Sequence, residues 1–257
     1  MRAAILLLAF GVSLQSVPSI PLSTWTIVAA DPATGDVGVA GASCVDVYVD
    51  AIAVLVPGKG VAVAQALWDR GNRDRVFELL RAGDTADAII GKVTDRNFDR
   101  GFVDRQYGVV TLSGGKVMVR GFTGSDAFSW AGSRQDPDRA VTVQGNILTG
   151  PGVVDNALKA FQSERNLPDA LMRALEAGSA AGGDSRCNNE RVKQTASAAF
   201  ILVARGGDKP YAARDIGISD QGKPGAPWLA LSVREPRFGR NPVGELRKKF
   251  DAWRKAR

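Results

Sequence analysis

The chain has 257 residues, of which 45% are hydrophobic and 23% charged, enough apolar material for one sizeable core. It contains no histidine, which excludes Ser-His-Asp and Cys-His catalysis and any histidine-ligated metal site. The net charge is +6, but the tail from Gly244 to Arg257 holds six basic residues against two acidic ones, which is +4 of that total. A nucleic-acid binder would spread basic residues over a face, so that class is set aside.

Met1-Arg2 followed by the apolar residues 3–12 reads as a secretory signal, too short to span a bilayer. Residues 1–19 are assigned to it, and residues 20–257 to a single domain that is secreted or periplasmic, with no later run long enough to cross a membrane. The cleavage point is poorly marked: no Ala-x-Ala occurs, and Ser16 or Ser19 fits as the last residue removed.

The stretch from Ser23 to Cys44 reads as two strands joined by the turn Asp31-Pro32-Ala33-Thr34-Gly35. Trp25, Ile27 and Ala29 share one strand face, with Thr24, Thr26 and Val28 on the other. A second strand pair follows over 51–56 and 60–66, with Gln65 at its end as either a turn residue or a pocket amide. Asp46 and Asp50, flanking Tyr48, read as a solvated strand edge. Helices are expected over 73–81, stopped by Gly83, and over 85–95, capped by Asp84. Gly114-Gly115 marks a hairpin between strands 105–113 and 116–122. A glycine- and aspartate-rich connection leads to a strand over 141–145 and then helices after Pro151 and over 167–177. The polar stretch 178–194 has the length of a functional loop. A strand over 195–204, an unassigned region over 206–240 and a basic helix over 243–255 complete the chain. Strands, two helices, strands, two helices, strands is the order of packed sheets with helices outside, not of a doubly wound fold.

Two cysteines in an exported chain point to one disulfide, Cys44–Cys187, closing a loop of roughly 140 residues worth about 5 kcal/mol by chain entropy; a reactive thiol is the other reading.

Read in order, Thr24-Trp25-Thr26-Ile27-Val28-Ala29 with Asp31-Pro32, Gln65-Ala66, Arg105-Gln106, Gln144-Gly145-Asn146, Ala181-Gly182-Gly183-Asp184 with Arg186, and Asn241-Pro242-Val243 resemble the domain of unknown function 1028 family. That resemblance implies an α+β four-layer αββα sandwich of two antiparallel sheets, similar to the N-terminal-nucleophile hydrolases. In that wider group a Ser, Thr or Cys at the start of the first strand attacks an amide carbonyl and its own α-amine takes the proton, so histidine is unnecessary. An α-amine with an ordinary pKa of about 7.7–8.0 suits that task.

Carried onto this chain, the nucleophile is Thr24 or Ser23, provided that the residues ahead of it are removed. Asn146 is a donor for a developing oxyanion. Asp184 binds a substrate amine or orients Arg186, and Arg186 holds a carboxylate at two points. Gly182-Gly183 can form an anion or oxyanion nest, the other reading of this segment being a turn with a solvated Asp184–Arg186 pair. Ser43, Gln65, Gln144 and Gly183 complete the ligand-binding set, and the disulfide would pin the Gly182–Arg186 loop beside Ser43. No cofactor or metal signature is present. The expected partner is a small-molecule or peptide ligand, and a homo-oligomer is allowed. Two further readings stay open: a non-catalytic binding protein on the same fold, and an envelope-associated structural module.

Overall fold

Alternation sets the layers. In the computed structural model, which describes residues 20–22, 24–191, 193–236 and 239–257, the strand Thr24–Ala30 sends Trp25, Ile27 and Ala29 to one apolar layer and Val28 and Ala30 to another. The assigned signal, residues 1–19, and Ser23 lie outside the described residues.

In chain order the strands are β1 (Ile20–Leu22), β2 (Thr24–Ala30), β3 (Val37–Ser43), β4 (Ala53–Val56), β5 (Gly60–Trp68), β6 (Arg105–Ser113), β7 (Lys116–Thr123), β8 (Gly132–Asp136), β9 (Val141–Gly145), β10 (Ala198–Ala204), β11 (Tyr211–Ala212) and β12 (Leu229–Arg234). The α-helices are α1 (Arg70–Ala82), α2 (Ala86–Val93), α3 (Gly152–Gln162), α4 (Leu167–Ala180) and α5 (Pro242–Lys255). One antiparallel sheet runs β11-β4-β5-β6-β7, with β1 added against β5. The other runs β12-β10-β3-β2-β9-β8.

An apolar layer of Leu22, Val28, Val39, Leu55, Val63, Val110 and Phe200 fills the space between the sheets. Helices α1 and α2 bury Val76, Leu79, Leu80, Ile89 and Val93 against the outside of the first sheet. Helices α3, α4 and α5 bury Val154, Leu171, Leu175, Leu246 and Phe250 against the outside of the second. The result is the expected α/β/β/α stack of two antiparallel sheets.

The helix ends follow capping chemistry. Asp69 accepts from the Asn72 N–H, which starts α1 at Arg70 rather than at the expected Arg73. Gly83 ends it in the left-handed region. Thr85 caps α2, accepting from the Ala88 N–H, where Asp84 was expected to do so.

Other expectations are corrected. The connection after Trp130 contains β8, whose exposed Arg134 and Gln135 hide the strand period because it forms a sheet edge. The unassigned stretch 206–240 contributes β11 and β12. Asp50 is not a solvated strand residue: it sits in a 3₁₀ turn, Asp50–Ile52, and is 2% exposed.

Candidate functional site

The start of β2 lies at one end of the sandwich, together with the ends of β3, β5, β7, β9 and β12 and the starts of β8 and β10. There Thr24 is fully buried and pairs with Ser43 across β2 and β3. Asn146, just past β9, grips the Thr24 backbone from both sides. Its Oδ1 accepts from the Thr24 N–H at 3.2 Å, and its own N–H donates to the Thr24 carbonyl at 3.2 Å. Gln65 Nε2 donates to the same carbonyl at 3.2 Å, and the Thr24 hydroxyl donates to the Leu22 carbonyl at 3.4 Å.

Behind Thr24 lies a polar network between the sheets. Thr26 Oγ1 donates to Gln65 Oε1 at 2.8 Å and accepts from Gln144 Nε2 at 2.6 Å. Thr142 Oγ1 donates to Gln144 Oε1 at 2.9 Å. Gln65 Nε2 also donates to Gln106 Oε1 at 2.8 Å, and Gln106 Nε2 reaches Thr123 Oγ1 and the Gly145 carbonyl at 2.9 Å each. Gln65 is therefore neither a turn residue nor a free pocket amide, but a tie inside β5 joining the two sheets. Gly108 leaves the room that the Gln144 side chain fills, since a Cβ there would lie 2.2 Å from Gln144 Oε1. Every member is a neutral donor–acceptor group, so burial costs little once all are paired.

The Asp184 loop meets this end from the second sheet. Asp184 is fully buried, and both its oxygens are used internally. Oδ2 accepts from the Cys44 N–H at 2.9 Å and from the Arg186 guanidinium at 2.9 Å, while Oδ1 accepts from the Arg186 N–H at 3.0 Å and Nε at 3.1 Å. The Cys44–Cys187 disulfide, with Cα atoms 5.7 Å apart, fastens the same loop to the end of β3. The Gly182 and Gly183 N–H groups donate to the Ser179 and Gly178 carbonyls and so close α4 instead of facing a ligand as an anion nest. Gly183 has φ +61°, and a Cβ there would meet the Thr195 carbonyl at 2.7 Å and the Trp25 ring at 3.0 Å. The structure thus brings Thr24, Ser43, Gln65, Gln144 and Asn146 together, and holds Asp184, Arg186 and the disulfide beside them as a clamp.

Sequence reasoning gave no role to Thr26, Gln106 or Thr142, or to the support under the end of β5. The signal available for the first three was a polar residue at an inward position of an apolar strand. Under β5, Arg105 Nε pairs with Asp99 Oδ2 at 2.8 Å, and another Arg105 nitrogen donates to the Leu67 carbonyl. Burial pushes the Asp99 carboxyl up, but hydrogen bonds from Arg105 and Asn72 outweigh that and hold it below its ordinary value.

A cavity of about 330 Å³ opens under the segment Thr123–Ala131 at this same end. That segment is tied to Asn146's neighbours, since Ile147 N–H donates to the Phe128 carbonyl and Leu148 N–H to the Trp130 carbonyl. A larger cavity, about 480 Å³, lies by β11 and is lined by Tyr211, Arg214, Asp220 and Lys223. Among the described residues no cluster of acidic or cysteine side chains is arranged to hold a metal ion, and no helix is long and apolar enough to cross a membrane.

Fold and site together define an α+β protein of two stacked antiparallel sheets with a sealed polar centre at the head of β2. Residues 24–227 match the model of the Family of unknown function (DUF1028), and the chain belongs to that family. The crystal structure of protein SPO2555 from Silicibacter pomeroyi, of the same family, superposes with a TM-score of 0.67. It covers 90% of this chain and 85% of that chain at 23% identity, a likeness of fold. Among curated proteins, none matches the chain.

Proposed function

We propose that the chain is an exported amide hydrolase of the N-terminal-nucleophile type, held latent by the residues ahead of Thr24. The observation that carries this reading is the two-sided grip of Asn146 on the Thr24 backbone, with the Thr24 hydroxyl donating to the carbonyl of Leu22 just ahead of it. Removing the preceding residues turns the Thr24 amide nitrogen into a primary amine at a position where Asn146 Oδ1 already accepts a hydrogen bond. The family match begins at Thr24.

In the active form Thr24 Oγ attacks the carbonyl carbon of the substrate amide, and its proton passes to the Thr24 α-amine. The tetrahedral adduct expels the substrate amine, which takes that proton, and leaves an ester on Thr24. Water, deprotonated by the same amine, then cleaves the ester to release the acid and restore the hydroxyl. Gln65 keeps the Thr24 carbonyl fixed during this exchange. Asp184 and Arg186 hold the site wall through Cys44. The disulfide accords with an oxidising compartment, in line with export.

A β-lactone probe tests the reading. A chain beginning at Thr24 gains one probe mass on Thr24, and Thr24→Ala gains none. Absence of labelling in a folded chain that begins at Thr24 would remove the catalytic role. A second reading, a non-catalytic binding protein, is favoured by the complete burial of Thr24 and Leu22 in the form described. It predicts saturable ligand binding with no turnover from either form of the chain.

A further inference from the structure

The residues just ahead of Thr24 do not trail away from the fold. β1 pairs antiparallel with the end of β5: Ile20 lies opposite Trp68, Pro21 opposite Leu67 and Leu22 opposite Ala66. Ala66 is also paired with Arg105 of β6, so β1 occupies the side of β5 away from β6, the side that β4 covers from Gly60 to Val63. Beyond Val63 the chain on that side turns into the 3₁₀ segment Asp50–Ile52, and β1 supplies the strand pairing from Ala66 to Trp68. Leu22 is fully buried and belongs to the apolar layer between the sheets. Its carbonyl accepts the Thr24 hydroxyl at 3.4 Å.

These are the features of an extended peptide bound to a sheet edge: main-chain pairing, one aliphatic side chain seated in a pocket, and a carbonyl next to a hydroxyl. We propose that the edge of β5 beside Thr24 is a peptide subsite, filled in this form by the chain's own residues 20–22. Its ligand class is an extended peptide, or a peptide-like amide, with an aliphatic side chain in the place of Leu22. Main-chain pairing supplies affinity for any extended segment, while the Leu22 position selects for a branched aliphatic group. Pro21 fits the same geometry, because a residue without an N–H is tolerated on the outermost strand of such an edge. Small polar amides would leave the Leu22 position empty and forfeit its apolar contacts. The link between this subsite and catalysis rests on the reading of Thr24 as nucleophile, but binding does not require Thr24.

The test uses the full chain and a fluorescent hexapeptide, Val-Pro-Ser-Ile-Pro-Leu, which repeats residues 17–22. In the unaltered chain the edge is filled, and the probe is excluded. Leu22→Asp drives a charge into the apolar layer and expels the segment. Amides of the 64–68 region then exchange faster with solvent, the probe raises its anisotropy on addition, and exchange slows again. A probe ending in aspartate in place of leucine binds about tenfold more weakly or worse, the effect of losing one buried leucine. Should Leu22→Asp lose its near-ultraviolet circular dichroism, Leu22→Ala carries the same reading with smaller uptake.

A folded variant that takes up no probe, or whose 64–68 exchange is unchanged, overturns the subsite. Uptake by a Leu22→Asp, Thr24→Ala chain upholds the subsite without any catalysis. Labelling of Thr24 by the β-lactone without probe uptake would do the reverse, sparing the hydrolase reading and removing this one.

Discussion

Two buried polar regions of this molecule are closed by different chemistry. At the head of β2, Thr26, Gln65, Gln106, Thr142 and Gln144 form a neutral network, clamped from outside by a disulfide and by Asp184. At the β11 edge, Asp50 accepts from Ser232 Oγ at 3.1 Å through Oδ2, while its Oδ1 is buried with no hydrogen-bond partner among the described residues. Around it stand Tyr211, whose hydroxyl donates to Asp220 at 3.2 Å, and the ion pairs of Asp220 with Arg214 and Lys223 at 3.4 Å each. Amides can fill one another's hydrogen bonds without changing charge. A buried carboxyl short of a partner must instead change its affinity for protons. The first region should respond to redox conditions and hardly to pH, and the second to pH and salt.

The largest effect is expected from the disulfide. Replacing Cys44 and Cys187 together by serine should cost up to about 5 kcal/mol of unfolding free energy, read by denaturant titration. The loss should be similar at pH 5 and pH 8. A strong pH dependence of the loss would break the contrast.

Next comes Asp50. Burial first of all, opposed by the Ser232 hydrogen bond, raises its carboxyl from 3.8 to about 6. A proton is therefore bound more tightly by the folded chain than by the unfolded one. The stability this contributes is complete below about pH 4 and is lost as pH climbs through about 6. The total is up to about 3 kcal/mol between pH 4 and 8. Asp50→Asn should flatten that slope in pH-dependent melting curves. Asp220 does not blur the reading: burial pulls its carboxyl up, but hydrogen bonds from Lys223, Arg214 and Tyr211 outweigh this and hold it below its ordinary value.

A smaller loss, about 2 kcal/mol, is expected of Gln106→Leu. It removes a donor to the Gly145 carbonyl and the acceptor of Gln65 Nε2. Urea titration at pH 5 and pH 8 should return the same difference, because no member of the network titrates there. Smallest of all is Arg214→Ala, which removes a pair whose arginine side chain is 67% exposed. It should cost under about 1 kcal/mol and vanish in high salt.

What could be read from the amino-acid order follows from how each residue is used. The strands around Trp25, Val39 and Val63 show themselves because alternation or unbroken apolar character survives there. β8, β11 and β12 hide because they are short or lie at sheet edges, where one side faces solvent and the period blurs. β1 hides for another reason: Ile20-Pro21-Leu22 directly follows a signal-like stretch and carries a proline. Asp50 was misplaced because nothing local marks an aspartate as buried; its burial is created by Ser232 on β12, far along the chain. At the candidate site, Thr24, Asn146 and the cysteines were legible as types at telling positions. The use of Asp184 as an internal clamp, and the closing of Gly182 and Gly183 onto α4, depend on hydrogen bonds that only the folded loop defines.

The central claim is that Thr24 is a nucleophile awaiting exposure. The most direct measurement is the N-terminal residue of the chain recovered from the medium or envelope of expressing cells, by intact mass and Edman sequencing. The account predicts a population that begins at Thr24. A chain that retains Ile20–Leu22 throughout would contradict it.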